Sequence, residues 1–170
     1  FLERAEKGII VLCRTSNPGA GEFQDLSVAI GRDEGEFLAQ AKARYSFSKI
    51  GGYKTHFFNH VAYQVSHHWN KNGNCALVVG ATYPEELQEV RGIIGDMPIL
   101  IPGIGAQGGD VEKTVTAGKD SRGQGMIINS SRGIIFASSG ADFAEAARRE
   151  TEKLRDLINQ HRLARPKPTA

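Results

Sequence analysis

The 170-residue chain sets 21 Lys and Arg against 19 Asp and Glu, a formal net charge of +2, and is 40% hydrophobic and 24% charged. That is a soluble, globular composition with one ordinary core, too short for two comfortable domains, and its near-neutral charge makes no electrostatic case for nucleic acid as a partner. No apolar run approaches the roughly 20 residues of a membrane span and no signal-peptide pattern opens the chain, so the reading is a cytoplasmic protein with no membrane partner.

In chain order, "FLERAEKG" reads as the last turns of a helix running into a glycine stop. With Phe1 in place of Met at the start, an incomplete chain is expected. "GIIVLC", residues 8–13, is a β-branched apolar strand that runs into the turn-rich "RTSNPGAGE". Residues 31–54 offer only a loop or a partial helix. "HVAYQVSHHWN" sets Val61, Ala62, Val65 and Trp69 at helical spacing, and "NKNGN" stops that helix before a second strand, "CALVVGA". "TYPEELQEVRGIIG" then predicts a helix with Thr82 as N-cap, Pro84 in the first turn, and Glu85 and Glu86 near the positive end of the dipole. A third strand, "PILIPGIG", a helix near "DVEKTVTAGKD" and a fourth strand, "GMIINSS", follow. The last helix starts around Ala141 and Asp142 and sets Leu154, Leu157, Ile158 and His161 near one face. The domain is thus expected over 1–163, with a flexible tail at 164–170.

The strands are continuous aliphatic runs, so both of their faces are expected to be buried, as in a parallel sheet covered by helices. Cys13 and Cys75 fall inside such runs and read as buried, reduced thiols. Four strand–helix units with right-handed crossovers fit an α/β fold, either a small doubly wound sheet or part of a (β/α)8 TIM barrel. Ser16, Gln107 and Arg132 each follow a strand directly, and barrel enzymes build their sites from the loops at that end.

Three loops could carry chemistry. In "PGIGAQGGD", Gly103, Gly105, Gly108 and Gly109 let a ligand approach the backbone, amides at the following helix start could hold an anion, and Gln107 could bridge two parts of one ligand. The plain alternative is a glycine-rich turn with a solvent-facing Gln. In "NSSRGIIFAS", Arg132 beside Gly133 offers a fork of donors to a phosphate, although an arginine after a strand is more often a solvated charge. In "CRTSNPGAGEFQ", Ser16 and Asn17 either make a turn or present polar groups to a pyrimidine edge. His56, His60, His67 and His68 lie away from the strand ends and show no H-E-x-x-H spacing, so no metal is expected; no G-x-S-x-G or Walker motif is present.

Taken together, "LCRTSNPGAGEFQDL", "NCALVVGATYPEEL", "ILIPGIGAQGGD" and "NSSRGIIFA" resemble the C-terminal half of orotidine 5'-phosphate decarboxylase in its longer bacterial subfamily, over residues 8 to about 138. The resemblance implies a (β/α)8 barrel acting as a homodimer, of which this chain carries the last four β/α units. It implies decarboxylation of orotidine 5'-phosphate to UMP in pyrimidine biosynthesis, with no cofactor. Ser16 resembles the residue that contacts the pyrimidine, and Gln107 the one that links phosphate and base. Arg132, with Gly133 beside it, resembles the phosphate-binding arginine, and Pro102 and Ile104 resemble apolar walls near the reacting ring.

One departure divides the expectation. The family's catalytic D-x-K-x-x-D occurs nowhere in this chain; "DVEK" has the wrong spacing. In the family that motif lies in the N-terminal half, so this chain holds no catalytic residue of its own and is expected to be inactive alone. The alternatives are a non-catalytic nucleotide- or phosphate-binding half barrel, one part of a split enzyme, or another phosphate-binding barrel enzyme that retains this half.

Overall fold

The computed structural model describes residues 1–104 and 109–163. Its centre is a four-stranded parallel sheet in the order β1-β5-β6-β7, formed by β1 (Ile9–Arg14), β5 (Cys75–Val79), β6 (Ile99–Pro102) and β7 (Met126–Asn129). Register partners include Ile9 with Cys75, Leu77 with Ile99, and Pro102 with Asn129. Between the strands run α3 (Phe57–Gln64), continued by a π-helical turn at Val65–Trp69, then α4 (Pro84–Ile94) and α5 (Val111–Gly118). After β7 come α6 (Ser131–Ile135) and the long α7 (Phe143–Leu163). The four strands and the helices between them are those expected from the apolar runs and glycine stops, whereas residues 1–8, expected as the end of a helix, form turns.

The helices cover one face of this sheet. There Leu77, Val79, Ile99 and Ile101 meet Phe58, Leu87 and Val90 in a core from which water is excluded. Gly118 lets α5 approach closely: a Cβ there would fall 2.9 Å from Ile101 Cδ1. Leu154 of α7 packs against the same core, whereas Leu157 remains 37% exposed.

No helix covers the other face, which is open at its outer strands β1 and β7 while Ala76 of β5 is buried; this corrects the expectation of a sheet buried on both sides. Strand residues alternate between faces, and Ile9, Val11 and Cys13 pack inward while Ile10 and Leu12 are 50% and 66% exposed. On β7, Met126 and Ile128 pack inward and Ile127 is 51% exposed. An aliphatic run looks alike whether its second face is covered by the same chain or left open.

Residues 31–54 are a second correction. With the residues just before and after them they form an antiparallel sheet in the order β2-β4-β3, from β2 (Ser27–Ile30), β3 (Tyr45–Ser48) and β4 (Gly52–His56), with α2 (Arg32–Gln40) packed on it. A short helix, α1 (Gly21–Gln24), leads into this insertion. The side chain of Tyr53 lies so close over Gly35 that a Cβ there would collide with the ring. Glu34 Oε1, buried, accepts from His60 Nδ1 at 2.8 Å, tying α2 to α3. Arg44 pairs with Glu89 of α4, and Asn59 Nδ2 donates to the same carboxylate at 3.0 Å. His60 therefore has an acidic partner, supplied from 26 residues upstream.

Thr82 is not the cap of α4. The capping position is Tyr83, no side chain caps it, and Pro84 opens the first turn. The expected tail at 164–170 lies outside the described residues.

Cys13 and Cys75 are each 2% exposed. The Cys13 thiol donates to Phe58 O at 3.2 Å, and burial pushes its pKa up to about 12; burial also raises that of Cys75. Since the thiolate is the reactive form, neither should react with an aromatic disulfide reagent at pH 8 in the folded protein, and both should in denaturant. Fast stoichiometric labelling of the native chain would contradict this packing.

Candidate functional site at the strand C-terminal ends

Hydrogen bonds lace the four strand exits together. Gly80 N donates to Arg14 O at 2.8 Å, and Ala81 N to Pro102 O at 2.8 Å, joining the exits of β1, β5 and β6. Ser130 Oγ reaches Ile104 O at 3.4 Å, which adds the exit of β7. In a parallel sheet all C-terminal ends lie on one side, so polar groups far apart in sequence share this rim.

Ser16 sits against Gly80 at the rim, so tightly that a Cβ at Gly80 would collide with Ser16 Oγ. That hydroxyl oxygen is buried with no hydrogen-bond partner among the described residues. Buried polar atoms are nearly always paired, which marks Ser16 as a group available to a ligand.

The segment leading to Ser16 is held by Arg14, the last residue of β1, which the sequence reading left in the turn after the strand. Arg14 is 5% exposed. Its Nε lies 2.7 Å from Glu86 Oε2 and 3.1 Å from Asp25 Oδ1, and its guanidinium carbon stands 4.9 Å over the Tyr83 ring. Arg14 Nη1 donates to Thr15 O at 2.9 Å, while Thr15 N donates to Gln24 Oε1 at 2.9 Å. Both polar groups of the Thr15 backbone are thus engaged just before Ser16. Burial pushes the Glu86 carboxyl above the usual carboxylate range, against the pull of Arg14 and Arg44. The only advance signal was position: a cation directly after "VLC" needs a buried counter-charge.

At the other end of the rim, Pro102, Gly103, Ile104, Asn129, Ser130 and Arg132 line a small cleft of about 90 Å³, together with Ser131. Arg132, the second residue of α6, is exposed; Gly133 follows it and leaves room for Ser130 Oγ, which would lie 2.7 Å from a Cβ there. Ile104 is 5% exposed and contributes to the core as well as to this wall. The structure thus brings Pro102, Ile104, Arg132 and Gly133 together at the exits of β6 and β7, with Ser16 at the exits of β1 and β5.

Gln107, with Gly105 and Gly108, lies outside the described residues. The glycine loop's two ends are joined, Gly109 N donating to Gly103 O at 3.2 Å. A Cβ at Gly109 would fall 2.8 Å from both Ala81 Cβ and Gly103 O, so the close pairing needs glycine there. At the helix start after this loop Asp110 caps α5, its Oδ1 accepting from Lys113 N at 2.9 Å, so one of the amides expected to hold an anion is already engaged.

No family model matches the chain. It is 48% identical over 161 residues to the orotidine 5'-phosphate decarboxylase of Janthinobacterium sp. (strain Marseille), covering 95% of this chain and 51% of that protein. With the enzyme of the same name from Aromatoleum aromaticum it shares 46% over 162 residues, covering 95% and 51%. Among solved structures it superposes on Leishmania donovani UMP synthase with a TM-score of 0.71 at 34% identity, covering 98% of this chain and 31% of that one. For Leishmania donovani OMP decarboxylase the TM-score is 0.66 at 31% identity, covering 94% and 51%. The chain spans about half the length of the curated relatives it matches. Over nearly all of its own length it matches the C-terminal half of orotidine 5'-phosphate decarboxylase.

Proposed function

We propose that this chain is the nucleotide-gripping half of an orotidine 5'-phosphate decarboxylase, the last four β/α units of a (β/α)8 barrel over residues 1–163. The complete protein works as a homodimer in the cytoplasm and converts orotidine 5'-phosphate to UMP without metal or organic cofactor. The observation that carries the reading is the bare aliphatic face of the parallel sheet, with Ile10, Leu12 and Ile127 exposed, in a chain that matches half of longer decarboxylases. Parallel sheets are covered on both faces. A barrel's second half would turn this face into an interior.

In this reading Arg132 holds the phosphate with a fork of charge-assisted donors, and Gly133 keeps Ser130 close beside it. Ser16 turns its free hydroxyl to the pyrimidine, with Pro102 and Ile104 as apolar walls and Gln107 between phosphate and base. These groups bind and orient; none takes part in bond breaking. Grip on the remote phosphate positions the ring and supplies binding energy that the chemical step can use. The charged residues that act on the scissile carboxylate belong to the D-x-K-x-x-D motif, which this sequence does not contain, and electrostatic stabilisation with proton donation is their task.

A second reading is favoured by that same missing motif: a half barrel that binds nucleotide without turning it over, alone or as one part of a split enzyme. The two readings separate on activity of the full-length protein, since only the first predicts release of CO2 from orotidine 5'-phosphate.

The 170-residue chain expressed alone should associate through its open sheet edges and bare face. Size-exclusion chromatography is expected to show a species above 18.5 kDa, and a stable 18.5 kDa monomer would count against the half barrel. In the full-length protein, Arg132→Ala should weaken UMP binding roughly 10- to 100-fold by calorimetry, the size expected for lost charge-assisted hydrogen bonds. Gly80→Ala should weaken it through displacement of Ser16; unchanged affinity in both variants would remove the assignment of this rim as the nucleotide site.

A further inference from the structure

Strand β7 closes on Asn129, an amide at the end of an otherwise apolar run. Met126 and Ile128 pack against the core while Ile127 is 51% exposed on the bare face, so the two-residue alternation puts Asn129 on the face of Ile127. Its register partner is Pro102, and it lines the same cleft as Arg132. Its side-chain Oδ1 is buried and meets no hydrogen-bond partner among the described residues. The ordinary reason for an asparagine at a strand end is a hydrogen bond to the backbone just beyond it, and among the described residues Asn129 Oδ1 makes none; the capping position of α6 is Ser130, whose side chain does not cap the helix.

Ser16 Oγ is in the same condition at the opposite end of the rim. An unpaired, buried amide oxygen destabilises the fold that carries it, and an aliphatic side chain at that position would not. What distinguishes the amide is its ability to donate and accept together, three residues before the cation assigned to the phosphate.

We infer that Asn129 is a ligand-contacting residue of this site, its carboxamide hydrogen-bonding the sugar-phosphate part of the bound nucleotide beside Arg132. The inference rests on the proposed reading of the rim as a nucleotide site and adds a residue to it. Asn129 fixes the sugar-phosphate end, whereas Ser16 at the far end of the rim addresses the base.

The test uses the full-length protein and two probes, UMP and ribose 5-phosphate, titrated by calorimetry into wild type and the variants Asn129→Ala, Asn129→Asp, Ser16→Ala and Arg132→Ala, each checked for cooperative thermal unfolding. Asn129→Ala is expected to weaken both probes about 10-fold, the loss of one hydrogen bond with its buried partner left unpaired. Asn129→Asp, nearly isosteric and so the more secure variant for folding, should weaken both further, because a carboxylate repels the phosphate. Ser16→Ala should weaken UMP alone. If folded Asn129 variants bind both probes like wild type, or lose only UMP while Arg132→Ala loses both, the sugar-phosphate contact is refuted and the site reading stands. If Arg132→Ala also binds both probes normally, the site reading fails and this inference fails with it.

Discussion

The structure depends on a parallel sheet that is covered on one side only. Parallel strands need crossover connections, and here α3, α4 and α5 make them on a single face, where Leu77, Ile99 and Ile101 meet Phe58, Leu87 and Val90. Two consequences come from that one arrangement. All four strand C-termini are brought to the same rim, which is why Ser16 and Arg132, 116 residues apart in sequence (132 − 16), lie along one edge of the sheet. And the opposite face, with Leu12 at 66% exposure, is left as an apolar surface that a stable protein would cover.

The rim is stiff where the insertion meets it. Arg14 is a buried cation engaged by Asp25 from the insertion side and by Glu86 from α4. Burying such a charge is tolerable only while its partners stay, and removing one of them from a buried pair typically costs about 3–5 kcal/mol. The same guanidinium holds Thr15 O, so the position of Ser16 is tied to the Arg14 cluster. The antiparallel β2-β4-β3 sheet, joined to α4 through Arg44 and Asn59, thereby supports the exit of β1.

The β/α units were legible because their strands are aliphatic runs and their helices carry periodic apolar residues and glycine stops. The insertion was not, because β3 is exposed along its whole length and β2 and β4 bury few side chains, so none has a hydrophobic pattern to read. Ser16 and Arg132 were found by position after a strand, and the structure puts both at the rim. Asp110 carried no reading of its own: attention fell on the glycine loop and the amides after it, and that the residue between them caps α5 appears only in the structure. Asn129 left no sequence signal, since one asparagine before two serines reads as the start of a turn; its significance appears only with its face, its neighbours and its missing partner.

The chemistry of the rim also limits what this half can contribute. At the Arg132 end the described groups are hydroxyls, an amide, backbone and a single exposed cation. The other charged cluster nearby, Arg14 with Asp25 and Glu86, is consumed by its own pairing. Such a set can recognise a sugar phosphate and a polar ring edge, but it offers no paired free acid and base for breaking a carbon–carbon bond. In the proposed enzyme, recognition and bond breaking are therefore divided between two halves of one barrel. Their coupling would run through the bare face itself, because closing Ile10, Leu12 and Ile127 away from water would also set the distance between the grip and the charged residues that act on the ring.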